Sequence, residues 1–258
     1  MANKVSLDIS HDGRHTGAVL KGYLEDRGVY DANADAIVHY GYPHEKRRHN
    51  LNGNRHGTVG AGKAECMRLM NLGGARTVPY FTADDYHTQS PRYLAIAGRF
   101  PMLCRKAHGM GGQDIATVFQ AEEIPWRIAA GWTWFSEYVP VETELRVWMF
   151  RGRVLDTFNK NMQRPMDYTR LGRNAGNGFA FEYTNEYPEA TRQSHRAMVG
   201  LGLDFGAADL LLGKDGKMYL AEVNTAPGAL KTGAQATVGR LADCITEWCN
   251  SGYPERNY

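Results

Sequence analysis

The chain has 258 residues, 43% hydrophobic and 22% charged, enough apolar material for a sizeable core, which excludes an intrinsically disordered protein. A formal net charge of +2, from 30 Lys and Arg against 28 Asp and Glu, gives no global field for a polyanion, so nucleic acid is not indicated and any basic site must be local. Length favours one large domain or two smaller ones sharing a cleft, and with no run of about 18 apolar residues no membrane span is expected.

Residues 1–15 lack the apolar stretch of a signal peptide, so the cytoplasm is the expected compartment. A strand is expected over residues 36–40 and a helix over 61–72, where Met67 and Met70 recur at helical spacing. Residues 45–49, Glu-Lys-Arg-Arg-His, read as a solvated face. From Gly57 to Lys63 the chain fits GxxxxGK, but Ala64 stands where a phosphate-binding loop needs a Ser or Thr hydroxyl, and no buried strand precedes it. A Gly-rich turn entering a helix is the better reading.

Residues 77–81 read as a short strand exit, and the polar stretch before Pro91 marks a boundary, with a second segment starting near Tyr93. Residues 101–118 divide into a strand, a loop through His108, Gly109, Met110, Gly111 and Gly112, and a second strand. Strand character returns over 132–139 and 145–158, with Arg151-Gly152 as a hairpin turn. Helices are expected over about 189–201 and 234–248, the latter with Val238, Leu241, Ala242, Ile245 and Trp248 on one face. Cys66, Cys104, Cys244 and Cys249 have no CxxC spacing and are expected as reduced thiols. His11, His15, His44, His49 and His56 sit among polar residues and are expected at the surface.

The chemistry concentrates in residues 203–228, where two apolar runs flank Lys214-Asp215-Gly216-Lys217. Asp-Gly is a strong signal for a two-residue hairpin turn, which places Lys214 opposite Lys217 and Asp209 opposite Glu222. Carboxylates with Cβ atoms about 4.5 to 5.5 Å apart destabilise a sheet unless a positive charge sits between them. Asn224, two residues past Glu222, points to the same face. Three hard oxygen donors suit Mg²⁺ or Mn²⁺ and leave coordination positions for phosphate oxygens and water. Upstream, Arg105 and Lys106 end a strand just before the loop of Gly109, Gly111 and Gly112, whose backbone N–H groups could approach phosphates. Arg146 and Lys160 add cations near the same edge if 145–160 forms a hairpin. Arg164, Arg170 and Arg173 flank a loop rich in Asn and Gly; Arg173 with Asn174 is a candidate carboxylate or oxyanion site, with a solvated loop as the alternative.

With these residues in place the chain resembles the ATP-grasp superfamily from residue 36 to its end. The family's metal motif, a strand Asp followed thirteen residues later by Glu-x-Asn, is matched by Asp209, Glu222 and Asn224, and Pro227-Gly228 follows as in the D-alanine:D-alanine ligases. The resemblance implies these three as Mg²⁺ ligands, Glu137, Tyr138 and Val139 as the adenine hinge, Glu144 on the ribose, and Lys160 on the γ-phosphate. Arg146 matches the Arg of an acidic-x-Arg pattern, and Arg105 or Lys106 replaces the usual strand lysine that touches the α/β-phosphates. Ala207 occupies the place of the arginine that stabilises the acyl intermediate in D-alanine:D-alanine ligases, which argues against D-alanine as substrate.

The implied fold is α+β: an N-terminal α/β domain over 1–92, a lid subdomain over 93–139, and a metal and phosphate subdomain over 140–258, with ATP between two β-sheet subdomains. The implied activity is carboxylate:amine ligation through an acylphosphate, with Arg146, Lys160 and Arg173 at the reaction. A kinase on the same scaffold and a non-catalytic nucleotide-binding, virion-associated module are the alternatives. The phrasing of 203–212, 222–228 and 173–181 looks closest to bacteriophage-encoded members, which would act in a host cytoplasm. The carboxylate and amine partners and the oligomeric state are not legible.

Overall fold

Short apolar runs early in the chain build a small parallel sheet. β1 (Val5–Ile9), α1 (Arg14–Asp26), β2 (Ala36–Tyr40) and β3 (His49–Leu51) give the strand order β1-β2-β3. All five residues of β2 are buried, as a central parallel strand covered on both faces requires. His49, expected at the surface, lies in β3 and stacks on Tyr253 with ring centroids 4.6 Å apart. α2 (Lys63–Leu72) follows and buries Cys66, Met67 and Met70, the helical face expected from spacing. The computed structural model describes residues 3–10, 14–41, 47–52, 62–107, 114–162, 178–185, 187–229 and 233–255.

The next stretch comprises β4 (Tyr80–Thr82), α3 (Ala83–His87), α4 (Pro91–Ile96), β5 (Met102–Arg105), β6 (Ile115–Val118), α5 (Glu123–Ala129) and β7 (Trp134–Glu137). Its strands form an antiparallel sheet in the order β4-β7-β5-β6, which therefore draws on chain from both sides of position 92. Pro91 opens α4 behind the Ser90 N-cap, whose side chain accepts from Tyr93 N–H; here proline starts a helix.

The last stretch comprises β8 (Val141–Phe150), β9 (Arg153–Met162), β10 (Phe179–Tyr183), α6 (Pro188–Leu201), β11 (Phe205–Gly213), β12 (Met218–Asn224) and α7 (Gln235–Asn250). Its sheet has the order β10-β9-β8-β11-β12. Arg151 and Gly152, at φ 45° and 82°, make the expected turn between β8 and β9. Val238, Leu241, Ala242, Ile245 and Trp248 of α7 are all buried. All four cysteines are free and buried. No described helix is long and apolar enough to cross a membrane.

The β11–β12 hairpin corrects the expected turn. Gly213 N–H donates to the Lys217 carbonyl and Gly216 N–H to the Gly213 carbonyl, so the loop has three residues and Lys214 does not face Lys217. Of the two expected turn residues only Gly216 has positive φ, 74°. Asp215 explains the difference: its carboxylate accepts from Lys217 N–H and from the Tyr219 hydroxyl, at 3.1 and 2.7 Å, which fixes the longer loop. The ladder then pairs Leu210 with Leu220, shifts at a bulge, and resumes with Asp209 opposite Glu222. The extra residue, Ala221, restores the pairing that the loop alone would have broken.

One face of the five-stranded sheet carries both core and site. Toward one end Trp148, Phe150, Phe205 and Ala207 pack with α7 and the parallel sheet. Farther along the same strands the inward positions become Arg146 and Asp209. The opposite face, with Leu145, Val147, Ala208 and Leu210, packs with α2 and α6. Asn52 locks the units together, donating its N–H to Asp204 Oδ2 at 2.8 Å and accepting from Asp204 and Phe205 N–H at 2.7 and 3.1 Å.

Candidate active site

Asp209 lies in β11 between two partners, opposite Glu222 of β12 and opposite Arg146 of β8. Strand alternation then puts Glu144, Arg146, Lys160, Asp209, Glu222 and Asn224 on one face. Arg146 grips Asp209 with both arms, Nε to Oδ1 and Nη2 to Oδ2, each 2.7 Å. Lys160 Nζ stands 3.2 Å from Asp209 Oδ2 and also donates to Glu144 Oε1. Asn224 Nδ2 donates to Asp209 Oδ2 at 3.3 Å. The Phe181 ring covers both cations, with its centroid 4.9 Å from the Arg146 guanidinium and 5.7 Å from Lys160 Nζ.

Burial by itself would raise the Asp209 pKa, but the charges and hydrogen bonds of Arg146 and Lys160 hold it at about 2. Desolvation acts against the Arg146 charge too, and the Asp209 carboxylate reverses that, raising the guanidinium above its ordinary value. Both groups are therefore ionised at neutral pH. The facing carboxylates expected from the hairpin are present, and the positive charge beside Asp209 comes from two side chains.

The Glu222 side chain is half-buried and makes no hydrogen bond or ion pair among the described residues, so its lone pairs are open. With Asp209 and the Asn224 amide oxygen it could make up a hard-oxygen donor set for Mg²⁺ or Mn²⁺. Among the described residues no three His, Cys, Asp or Glu side chains converge on one point, so a cation here would draw on two carboxylates, the amide and oxygens of a ligand.

The four-stranded sheet contributes from the other side. Arg105 stacks on Trp134, 4.4 Å from the ring centroid, and donates Nη1 to Ser136 Oγ at 3.1 Å. Burial draws its pKa down to about 10, with the Glu222 carboxylate opposing the shift. Lys106 points elsewhere, exposed, 3.9 Å from Asp114 and 5.7 Å from the Trp132 ring. Of the two candidate cations, the strand therefore aims Arg105 toward Glu222. Glu137 donates its N–H to the Pro79 carbonyl, and Pro79 has no N–H to return the bond, which leaves the Glu137 carbonyl open among the described residues. Tyr138 N–H donates to Pro101, its side chain is exposed, and Val139 is buried in the core. Glu144 is buried against Lys160.

Gly109, Gly111, Gly112, Arg164, Arg170, Arg173 and Asn174 lie outside the described residues, as does most of the Gly57–Lys63 run. Sequence reading missed Tyr40, which is buried and donates its hydroxyl to the Pro227 carbonyl at 2.6 Å, bracing the turn beyond Asn224. Burial raises its pKa, and the charge of Arg146 acts the other way. It also missed Trp134, although alternation with Ser136 placed both on the Arg105 face.

No protein-family model matches the sequence, and no curated protein sequence is similar to it. Solved structures are similar in backbone. The ATP-grasp ligase PsnB complexed with minimal precursor is 15% identical, with 95% of this chain and 99% of that one covered and a TM-score of 0.69. A RiPP-associated ATP-grasp ligase from Chryseobacterium gregarium, in complex with ADP and a leader and core peptide, is 11% identical, with 99% of each chain covered and a TM-score of 0.69. The D-alanine–D-alanine ligase from Bacillus anthracis is 13% identical, with 98% of this chain and 99% of that one covered and a TM-score of 0.68. The protein has the ATP-grasp fold.

Proposed function

We propose that the protein is an ATP-dependent carboxylate:amine ligase that works with Mg²⁺ or Mn²⁺. The observation that carries this reading is the single sheet face on which Asp209, Glu222 and Asn224 lie beside Arg146 and Lys160, with Arg105 approaching from a second sheet. In the reaction a carboxylate oxygen attacks the γ-phosphorus, the bond to the bridging oxygen of ADP breaks, and an acylphosphate forms. An amine nitrogen then attacks the acyl carbon, loses a proton, and phosphate leaves with the amide formed. Such transfer needs placed positive charge more than covalent help.

Glu222, Asp209 and Asn224 would hold the cation, which neutralises phosphate charge when bound. Arg105 would face the phosphates from the four-stranded sheet. Arg146 and Lys160, held on Asp209 without ligand, are within reach of the same region and would share their charge with the transferred group. The open Glu137 carbonyl, with Tyr138 and Val139, would take the adenine, and Glu144 the ribose. Arg173 and Asn174 are proposed for the carboxylate substrate. The same proposal places the reaction in the cytoplasm, of a host cell if the gene is a phage's, as the phrasing of 203–212 suggests.

The test is ADP and phosphate release against a library of carboxylates and amines that includes peptides and amino acids, since the similar structures include a ligase in complex with a leader and core peptide and a D-alanine–D-alanine ligase. Amine-dependent release of both products, lost in Glu222→Gln and without divalent metal, is expected. ADP formed with phosphate retained on a hydroxyl substrate would replace the ligase by a kinase. Nucleotide uptake without turnover across the library would leave a binding module.

A further inference from the structure

One buried donor in the site has no acceptor among the described residues. Trp134 is 5% exposed, and its indole Nε1–H has no hydrogen-bond acceptor among the described residues. Several buried hydroxyls share that condition, but a hydroxyl rotates and also accepts, whereas an indole N–H is donor-only and fixed by its ring. The ring cannot turn freely, because Arg105 covers one face at 4.4 Å and Tyr80 packs against it at 6.0 Å. Trp248, by contrast, gives its N–H to the Pro254 carbonyl at 3.1 Å.

The neighbouring cation has few acceptors of its own. The Arg105 side chain makes one hydrogen bond, to Ser136, and no ion pair among the described residues, although burial depresses its pKa to about 10. Arg105 and Trp134 are direct cross-strand partners in β5 and β7, so the two groups share one face of the four-stranded sheet. They offer donors only, one of them charged. Their complement is an acceptor-only group with negative charge, a phosphate or carboxylate oxygen and not the mixed donor and acceptor edge of a base, and the place of Arg105 across from the proposed cation site favours the phosphate. Glu222, whose charge acts on Arg105, would repel that oxygen unless a cation lay between, which agrees with the donor set opposite.

We infer that Trp134 is a nucleotide-positioning residue, its indole N–H donating to a phosphate oxygen that Arg105 also contacts. The inference rests on the ATP reading above and adds a neutral, direction-fixing donor to the cations already named. A lone guanidinium on a strand attracts phosphate from a wide cone, and a second donor with a fixed direction narrows the pose before transfer. An N–H left unpaired in a buried setting is costly in the empty protein and is repaid only when the acceptor arrives.

The test is Trp134→Phe, which removes the N–H and keeps the ring, studied by calorimetric titration of ADP with Mg²⁺ and, separately, of adenosine. ADP affinity is expected to fall about tenfold, adenosine affinity to stay unchanged, and the melting temperature of the empty protein to stay equal or rise. In the wild-type protein the indole ¹H–¹⁵N resonance of Trp134, assigned from triple-resonance and NOE spectra of the wild-type protein itself, is expected to move on addition of ADP and not of adenosine. That resonance decides the matter should the variant fail to fold. Unchanged ADP affinity, an unmoved resonance, or an equal loss for adenosine overturns the inference while leaving the ATP reading standing. Wild-type protein that takes up no nucleotide overturns both.

Discussion

At the scale of single residues, Asp209 is the centre of charge in the site. Its folded pKa of about 2 lies below the ordinary 3.8, so its contribution to stability is fully present above about pH 4 and is lost as pH falls through about 2. The shift corresponds to roughly 2 kcal/mol. An acid titration of unfolding free energy should therefore lose stability across that window, and Asp209→Asn should flatten the loss. The variant should also be less stable at neutral pH by about 3 kcal/mol, since Arg146 and Lys160 are then left beside a neutral amide. A chemical denaturation series at several pH values reads both effects. The thiols are set by burial in the opposite sense: Cys66 and Cys104 are pushed up to about 11 and Cys249 to about 12. Iodoacetamide at neutral pH should leave the native protein unlabelled and label all four cysteines after denaturation, as mass spectrometry would count.

At the scale of elements, the β11–β12 hairpin and the α2–α6 crossing place the site. Gly216 has φ 74° and open space where a Cβ would stand, so Gly216→Ala should cost only the backbone strain, about 1 kcal/mol in thermal unfolding. Gly200 is different in kind. A Cβ there would come 2.3 Å from the Leu69 carbonyl oxygen, and one on Gly73 would come 2.3 Å from that of Arg196. Backbone meets backbone where α2 crosses α6, so Gly200→Ala should separate the helices and cost about 2 kcal/mol or more by denaturant titration. The expected helix over 61–72 was legible because its apolar residues recur at helical spacing. The crossing was not, because a glycine inside a helix gives no local sign of what approaches it. The hairpin shows the same division. Asp215-Gly216 announced a turn, but whether it held two residues or three depended on the Asp215 side-chain bonds, and Ala221 carries no signal that marks a bulge.

At the scale of the whole molecule, the two sheets are tied by backbone. Val78 N–H donates to the Leu220 carbonyl, Leu220 N–H to that of Arg76, and Lys214 N–H to that of Pro140. These bonds hold the strand carrying Glu222 next to the entry of the four-stranded sheet, which brings Arg105 toward it. A ligand bound by both sheets stabilises the pair together. ADP with Mg²⁺ at a hundred times its dissociation constant should add about 2.7 kcal/mol to unfolding free energy, and EDTA should abolish most of the gain in a thermal shift. Glu222→Gln should show the same reduced shift with metal present.

The donor types and their order are written in the linear chain: Asp209, then Glu222 and Asn224 thirteen and fifteen residues on, with Arg105, Arg146 and Lys160 on strands upstream. Those are local properties, carried by residue identity, alternation and turn chemistry. Only the tertiary structure decided which cation meets which carboxylate. It set Arg146 and Lys160 on Asp209, turned Arg105 rather than Lys106 toward Glu222, and left the Glu222 carboxylate and the Trp134 N–H without partners among the described residues. Such pairings depend on the lateral order β10-β9-β8-β11-β12 and on a second sheet folding over it. Charges on separate strands meet through hydrogen-bonded neighbours, and strand order is a property of the folded sheet that one strand's sequence does not encode.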